Sequence, residues 1–169
     1  MHFQLFPSMP ESSRLFVFTA DSSITESYST TLLSNISKFL SSWEAHGSPL
    51  AASVMLISNR VLIISVDESS ASASGCSIDS LTNFIKSEGG SSGIDFFNRN
   101  WVLYRNPISD SSNFIDGWTT EALHDFWARR KAGLINDDTQ VLNTTISTLK
   151  EARSNLVQSF SDSWHASMW

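Results

Sequence analysis

Ala52-Ser-Val-Met-Leu-Ile57 and Val61-Leu-Ile-Ile-Ser-Val66 are two short apolar runs separated only by Ser58-Asn59-Arg60. Apolar, β-branched runs joined by so tight a polar connection read as a β-hairpin. Neither run alternates between polar and apolar residues. Nearly continuous apolar character places both strands centrally in a sheet covered on one or both faces.

The flanking sequence extends this pattern in both directions. Arg14-Leu-Phe-Val-Phe-Thr19 reads as a first strand, ended by Ala20-Asp21. Ser23-Ile-Thr-Glu26 matches a capping box, and Tyr28, Leu32, Ile36, Phe39, Leu40 and Trp43 then recur at helical spacing up to Gly47 and Pro49. After the hairpin, a loop over Ser69–Gly75 leads to a second helix carrying Ile78, Leu81, Phe84 and Ile85, stopped by Gly89-Gly90. Ile94–Phe97 and Trp101-Val-Leu-Tyr104 supply a fourth strand. The order strand, helix, strand, strand, helix, strand predicts an α+β chain with a ferredoxin-like βαββαβ antiparallel sheet and both helices on one face.

From Pro107 the character changes. Ile108–Asn113 reads as a polar connector. A helix is expected from Thr119-Thr120-Glu121 through Leu123, Phe126 and Trp127 to Arg129-Arg130-Lys131. Another is expected across Leu142, Ile146, Leu149 and Leu156, trailed by Phe160, Trp164 and Trp169. The expectation is a single domain over residues 1–169, with a core at about 12–106 and a C-terminal helical appendage at about 107–169.

The chain has 169 residues, 41% hydrophobic and 11% aromatic, enough to build a packed core. Eleven Lys and Arg against seventeen Asp and Glu leave a net charge of −6, which argues against a phosphate-backbone binder; no nucleic-acid partner is expected. The one cysteine, Cys76, excludes an intramolecular disulfide framework. The N-terminus lacks a basic segment ahead of an apolar one, and no apolar run approaches the 18 or so residues that span a bilayer. A cytoplasmic protein without membrane contact is the expectation. No Gly-x-x-x-x-Gly-Lys-Ser/Thr, Gly-x-Gly-x-x-Gly, His-Glu-x-x-His or Cys-x-x-Cys occurs, and His2, His46, His124 and His165 form no ligand pair in sequence. No metal and no cofactor are expected.

Ala73-Ser-Gly-Cys-Ser-Ile-Asp79 is the segment most suggestive of chemistry. Cys76 falls at or beside the cap of the second helix, where unpaired backbone N–H groups favour a thiolate or a small anion held over Gly75, Cys76 and Ser77. Asp79 falls in the same expected first turn and already answers that dipole. The alternative is a half-buried structural cysteine. His46, in Trp43-Glu-Ala-His-Gly47, reads either as a cation at the end of the first helix or, in a ferredoxin-like fold, as a neighbour of Cys76 in a Cys–His pair. Asp21, Asp67 and Glu68 follow strands; parallel neighbouring strands would bring them to one edge as acid–base or cation-binding carboxylates, while solvated caps are the plainer reading. Arg99, in Asn98-Arg-Asn100, reads as a turn residue within reach of a ligand. The candidate catalytic set is Cys76, His46, Asp21 and Asp67; the candidate ligand-binding set is Gly75, Cys76, Ser77, Glu68 and Arg99.

The segments Arg14–Asp21, Ala45-His-Gly47, Val66-Asp-Glu68, Ala73–Asp79 and Phe97-Asn-Arg99 together resemble a family of small uncharacterised bacterial proteins that carry the label "ABC transporter ATPase". The resemblance extends to Gly133-Leu-Ile and Ser163-Trp-His165. It implies a cytoplasmic protein and transfers no catalytic residue. An ABC ATPase requires a phosphate-cradling P-loop, which this chain lacks. The expected function is therefore a non-enzymatic binding or interaction module that forms a homodimer or takes a protein partner, a role consistent with Trp118, Trp127, Trp164 and Trp169. The alternative is a small-ligand protein or enzyme centred on Cys76, supported by His46 and a strand-end acid.

Overall fold

The computed structural model describes residues 4–108 and 114–168. Its elements are β1 (Arg14–Thr19), α1 (Glu26–Ser41), β2 (Glu44–Ala45), β3 (Ser48–Pro49), β4 (Ala51–Ile57), β5 (Val61–Asp67), α2 (Gly75–Ser92), β6 (Trp101–Arg105), β7 (Thr119–Ala122), α3 (Leu123–Lys131), β8 (Gln140–Leu142), α4 (Leu149–Asn155) and β9 (Val157–Ser159). The architecture is α+β with antiparallel sheets. The expected connector lies, apart from Ile108, outside the described residues, as do His2 and Trp169.

The hairpin forms as β4 and β5. Ser58 and Asn59 both take positive φ, and the Arg60 amide donates to the Ile57 carbonyl at 3.0 Å, a type I′ turn whose twist suits two antiparallel strands. β5 is the middle strand of a three-stranded sheet in the order β1-β5-β4. Every residue from Val61 to Val66 is buried. Leu62, Ile64 and Val66 face one core with Phe18, Leu32, Ile36, Leu81 and Ile85. Val61 and Ile63 face another with Leu15, Leu103, Leu142 and Leu149. That two-sided cover is the physical reason the run reads as unbroken apolar sequence. β4, expected to be central like β5, lies at the sheet's edge, and its residues are mostly half-buried.

The ferredoxin-like order forms only in part. β1-β5-β4, with β1 antiparallel to β5 from Arg14 opposite Val66 to Thr19 opposite Val61, matches three of its four strands. β6, which that order would lay beside β1, instead joins a second sheet, β7-β6-β8-β9, pairing Trp101 with Ala122 and Tyr104 with Val141. The C-terminal third is thus a sheet with two short helices and not a helical appendage. Leu142 and Ile146 keep helical spacing, yet Leu142 ends β8 and only Leu149–Asn155 is α-helical. Thr119–Ala122 is a strand, and the helix begins at Leu123.

Three local expectations also shift. Thr25, not Ser23, caps α1, with its hydroxyl accepting from the Tyr28 amide at 3.3 Å. α1 ends at Ser41, and Trp43 enters the β2–β3 hairpin, whose turn residues His46 and Gly47 both have positive φ. α2 passes through Gly89-Gly90 to Ser92, with Gly93 as its left-handed cap. Gly89 is there for contact: a Cβ would stand 2.3 Å from the Ile94 carbonyl oxygen.

Candidate functional site

Backbone alternation in β1 defines the site. The Ala20 amide donates to the Arg60 carbonyl at 2.7 Å, so even-numbered residues turn their polar groups toward β5. Odd-numbered residues turn theirs outward. Some of these outward groups are paired: Leu149 N–H to the Ser13 carbonyl at 2.9 Å, Leu15 N–H to the Ser147 carbonyl at 2.8 Å, and Asp21 N–H to the Asp95 carbonyl at 2.9 Å. Between them, the Leu15 C=O, both groups of Val17 and both groups of Thr19 have no hydrogen-bond partner among the described residues.

These unpaired groups face a cleft of about 690 Å³. On the helical side of the sheet its wall is Thr82 of α2 with Phe96, Phe97, Asn98 and Arg99. On the other side the wall is Thr144, Thr145 and Ile146, with Trp164. The Phe97 ring meets Phe18 edge-on at 5.5 Å, and an Asx turn, with the Asn100 amide on Asn98 Oδ1 at 3.0 Å, carries Arg99. Thr145 bonds Asn143 Oδ1 through its amide at 3.0 Å and its hydroxyl at 2.7 Å, which shapes the opposite wall. Trp164 stacks on the buried His165 ring at 3.8 Å. Burial of that imidazole lowers its pKa to about 4 and keeps it neutral. Among the described residues Arg99 is the only charged side chain lining the cleft, and it is exposed. Arg60, outside that lining, holds its guanidinium 5.7 Å from the Trp101 ring and bonds the Ala20 carbonyl.

Of the expected site residues, only Arg99 lines this cleft. Cys76 is exposed in the first turn of α2 and is not a half-buried packing residue. Ser74 and Ser77 form a reciprocal capping box around it: the Ser77 amide donates to Ser74 Oγ at 3.2 Å and the Ser74 amide to Ser77 Oγ at 2.7 Å. Gly75 opens the helix, Ser77 is buried, and Asp79 falls beyond the first turn. His46 sits on the tip of the β2–β3 hairpin and not at a helix end. Trp43 bonds the Ser77 carbonyl through its indole N–H at 2.9 Å, so hairpin and α2 meet, but Cys76 and His46 share no hydrogen bond.

The strand-end acids separate. Because β1 and β5 are antiparallel, Asp21 and the Asp67-Glu68 pair lie at opposite ends of six paired residues, roughly 20 Å of strand. Asp67 accepts from the Ser69 amide at 2.9 Å; hydrogen bonds from Ser69 hold its carboxyl below the ordinary range. Glu68 accepts from the Ala73 amide at 2.9 Å and thereby closes the 69–73 loop. Among the described residues no three His, Cys, Asp or Glu side chains gather as a metal site. No helix among them is long and apolar enough to cross a membrane.

Val17, Thr19, Ile146 and Trp164 were missed because an edge is a property of the sheet order. The period-2 pattern of Arg14–Thr19 could have signalled it, since a half-buried edge strand is amphipathic, but Phe16 and Val17 mask the alternation. No protein-family model, curated protein or solved structure matches the chain.

Proposed function

We propose that the protein is a non-enzymatic binding module, working in the cytoplasm, whose ligand occupies the cleft along β1. One observation carries this: the Leu15 carbonyl and the backbone donors and acceptors of Val17 and Thr19 stand unpaired among the described residues in a cleft whose volume is in the range of ligand sites. Aromatic and threonine side chains around a few fixed polar groups suit binding, and no nucleophile–base pair lies among them. Kinship with the "ABC transporter ATPase"-labelled family belongs to the same proposal, without nucleotide hydrolysis.

The test is amide-resolved NMR during a screen of small molecules and peptides. Binders are expected to shift residues 15–19, 96–101 and 144–146. Binders that shift only the first turn of α2 would overturn the assignment.

The exposure of Cys76 favours a second reading, a ligand or redox site at the start of α2. Its test is whether Cys76→Ser alters any ligand-induced shift. No alteration removes that reading.

A further inference from the structure

We infer that the occupant of the cleft is an extended peptide segment of a partner protein, added antiparallel to β1 and carrying an Asp or Glu that pairs with Arg99. This rests on the cleft being the binding site and specifies what fills it. The outward rungs of β1 are occupied at Ser13, Leu15 and Asp21 and open at Val17 and Thr19. Neighbouring backbone thus already bonds both ends of the ladder, an isolated bridge at Arg14 and the Asp95 loop at Asp21, and leaves the middle open. The open groups repeat every second residue, about 7 Å apart, a spacing matched by another extended chain. The direction follows from the segment already in place, since Thr148 bridges Arg14 in antiparallel sense. This is also the position that a fourth strand takes in a ferredoxin-like sheet, and β6 has left it for the second sheet.

The walls select among occupants. β1 lies between the 96–99 loop and the 144–146 segment, so the recessed edge of a second copy, flanked by the same walls, does not reach it. A single extended chain does. Its side chains alternate, one set toward Phe16 and Phe97, the other toward Ile146 and Trp164. Among the described residues the one charge lining the cleft is the cation of Arg99, and it forms no ion pair there. An acidic side chain satisfies it by accepting from its paired N–H donors.

The experiment is selection of a phage-displayed random octapeptide library on the full chain, followed by fluorescence anisotropy with the winning peptide. The expected peptides alternate apolar residues and hold one Asp or Glu at a fixed position. Arg99→Ala weakens binding by about tenfold, as loss of a charge-assisted hydrogen bond does. N-methylation of the peptide abolishes binding at every second residue and is tolerated between, a readout that leaves the protein untouched. Binding slows hydrogen exchange of the Val17 and Thr19 amides. Equal tolerance of methylation at all positions would overturn strand addition. Small molecules that shift residues 15–19 while no peptide is enriched would overturn the peptide and leave the binding module standing. Peptides that bind but shift only other surfaces would overturn both. A molecular mass that doubles with concentration, with protection of the same amides, would make a second copy the occupant and overturn this inference.

Discussion

Asp21 and Asp95 hold each other twice: the Asp21 amide donates to the Asp95 carbonyl and the Asp95 amide to the Asp21 carboxylate, both at 2.9 Å. The acid that ends β1 is therefore a clasp on the loop that walls the cleft. Asp21→Ala removes one of the two bonds and is expected to cost about 1 kcal/mol. Urea unfolding measures that loss, and faster exchange of the Asp95 amide locates it. Unchanged exchange there would mean the carboxylate holds nothing.

Gly89→Ala is expected to destabilise by about 2 kcal/mol, although alanine is the better helix former. The added Cβ meets the Ile94 carbonyl oxygen at 2.3 Å and Phe96 Cδ2 at 3.0 Å, and the nearer atom is backbone, which does not rotate away. Gly90→Ala, with nothing within 4 Å of its Cβ, serves as the control and should be neutral or slightly stabilising. Equal effects from the two would refute the packing role.

Acid should weaken the fold through His165. Its pKa is about 4 in the fold against an ordinary 6.5, because burial penalises the imidazolium. The unfolded chain takes up this proton first, so the stabilisation present above about pH 6.5 is lost as pH falls toward 4. The slope is at most about 1.4 kcal/mol per pH unit, on the order of 3 kcal/mol in all. His165→Phe, which keeps a ring beneath Trp164, should flatten the stability profile in this window. An unchanged profile would place the acid sensitivity elsewhere.

Iodoacetamide should label Cys76 in the native protein without denaturant, since the residue is exposed. Cys76→Ser should change stability by less than about 0.5 kcal/mol, as for a surface position. A thiol protected until the chain unfolds would contradict the exposure.

The three-stranded unit was readable because its signals are local. Val61–Val66 declares its burial in its own composition, and Ser58-Asn59 are residue types that tolerate the positive φ that the turn demands. The full sheet order was not readable, since nothing in Trp101–Tyr104 tells that β6 leaves the edge of β1 for a second sheet. The C-terminal sheet was hidden by length: β8 and β9 have three residues each, too few to show a period of two. Of the cleft, Arg99 alone was visible as a polar turn residue. The open rungs of β1 are main chain, and unpaired backbone carries no sequence signature; the walls around them come from separate segments that only the fold brings together.

The bridge between Arg14 and Thr148 also bears on how the molecule comes into being. A chain emerging residue by residue makes β1 almost at once, yet its last pairing partner arrives some 130 residues later. Arg153 then bonds the carbonyls of Leu5, Phe6 and Met9, tying the earliest segment to the late helix α4. During synthesis the face bearing Leu15, Val61 and Ile63 lacks its full cover until Leu142 and Leu149 appear. The nascent chain leaves part of an apolar sheet face exposed until its last segments are made, which is when a holding chaperone has something to hold.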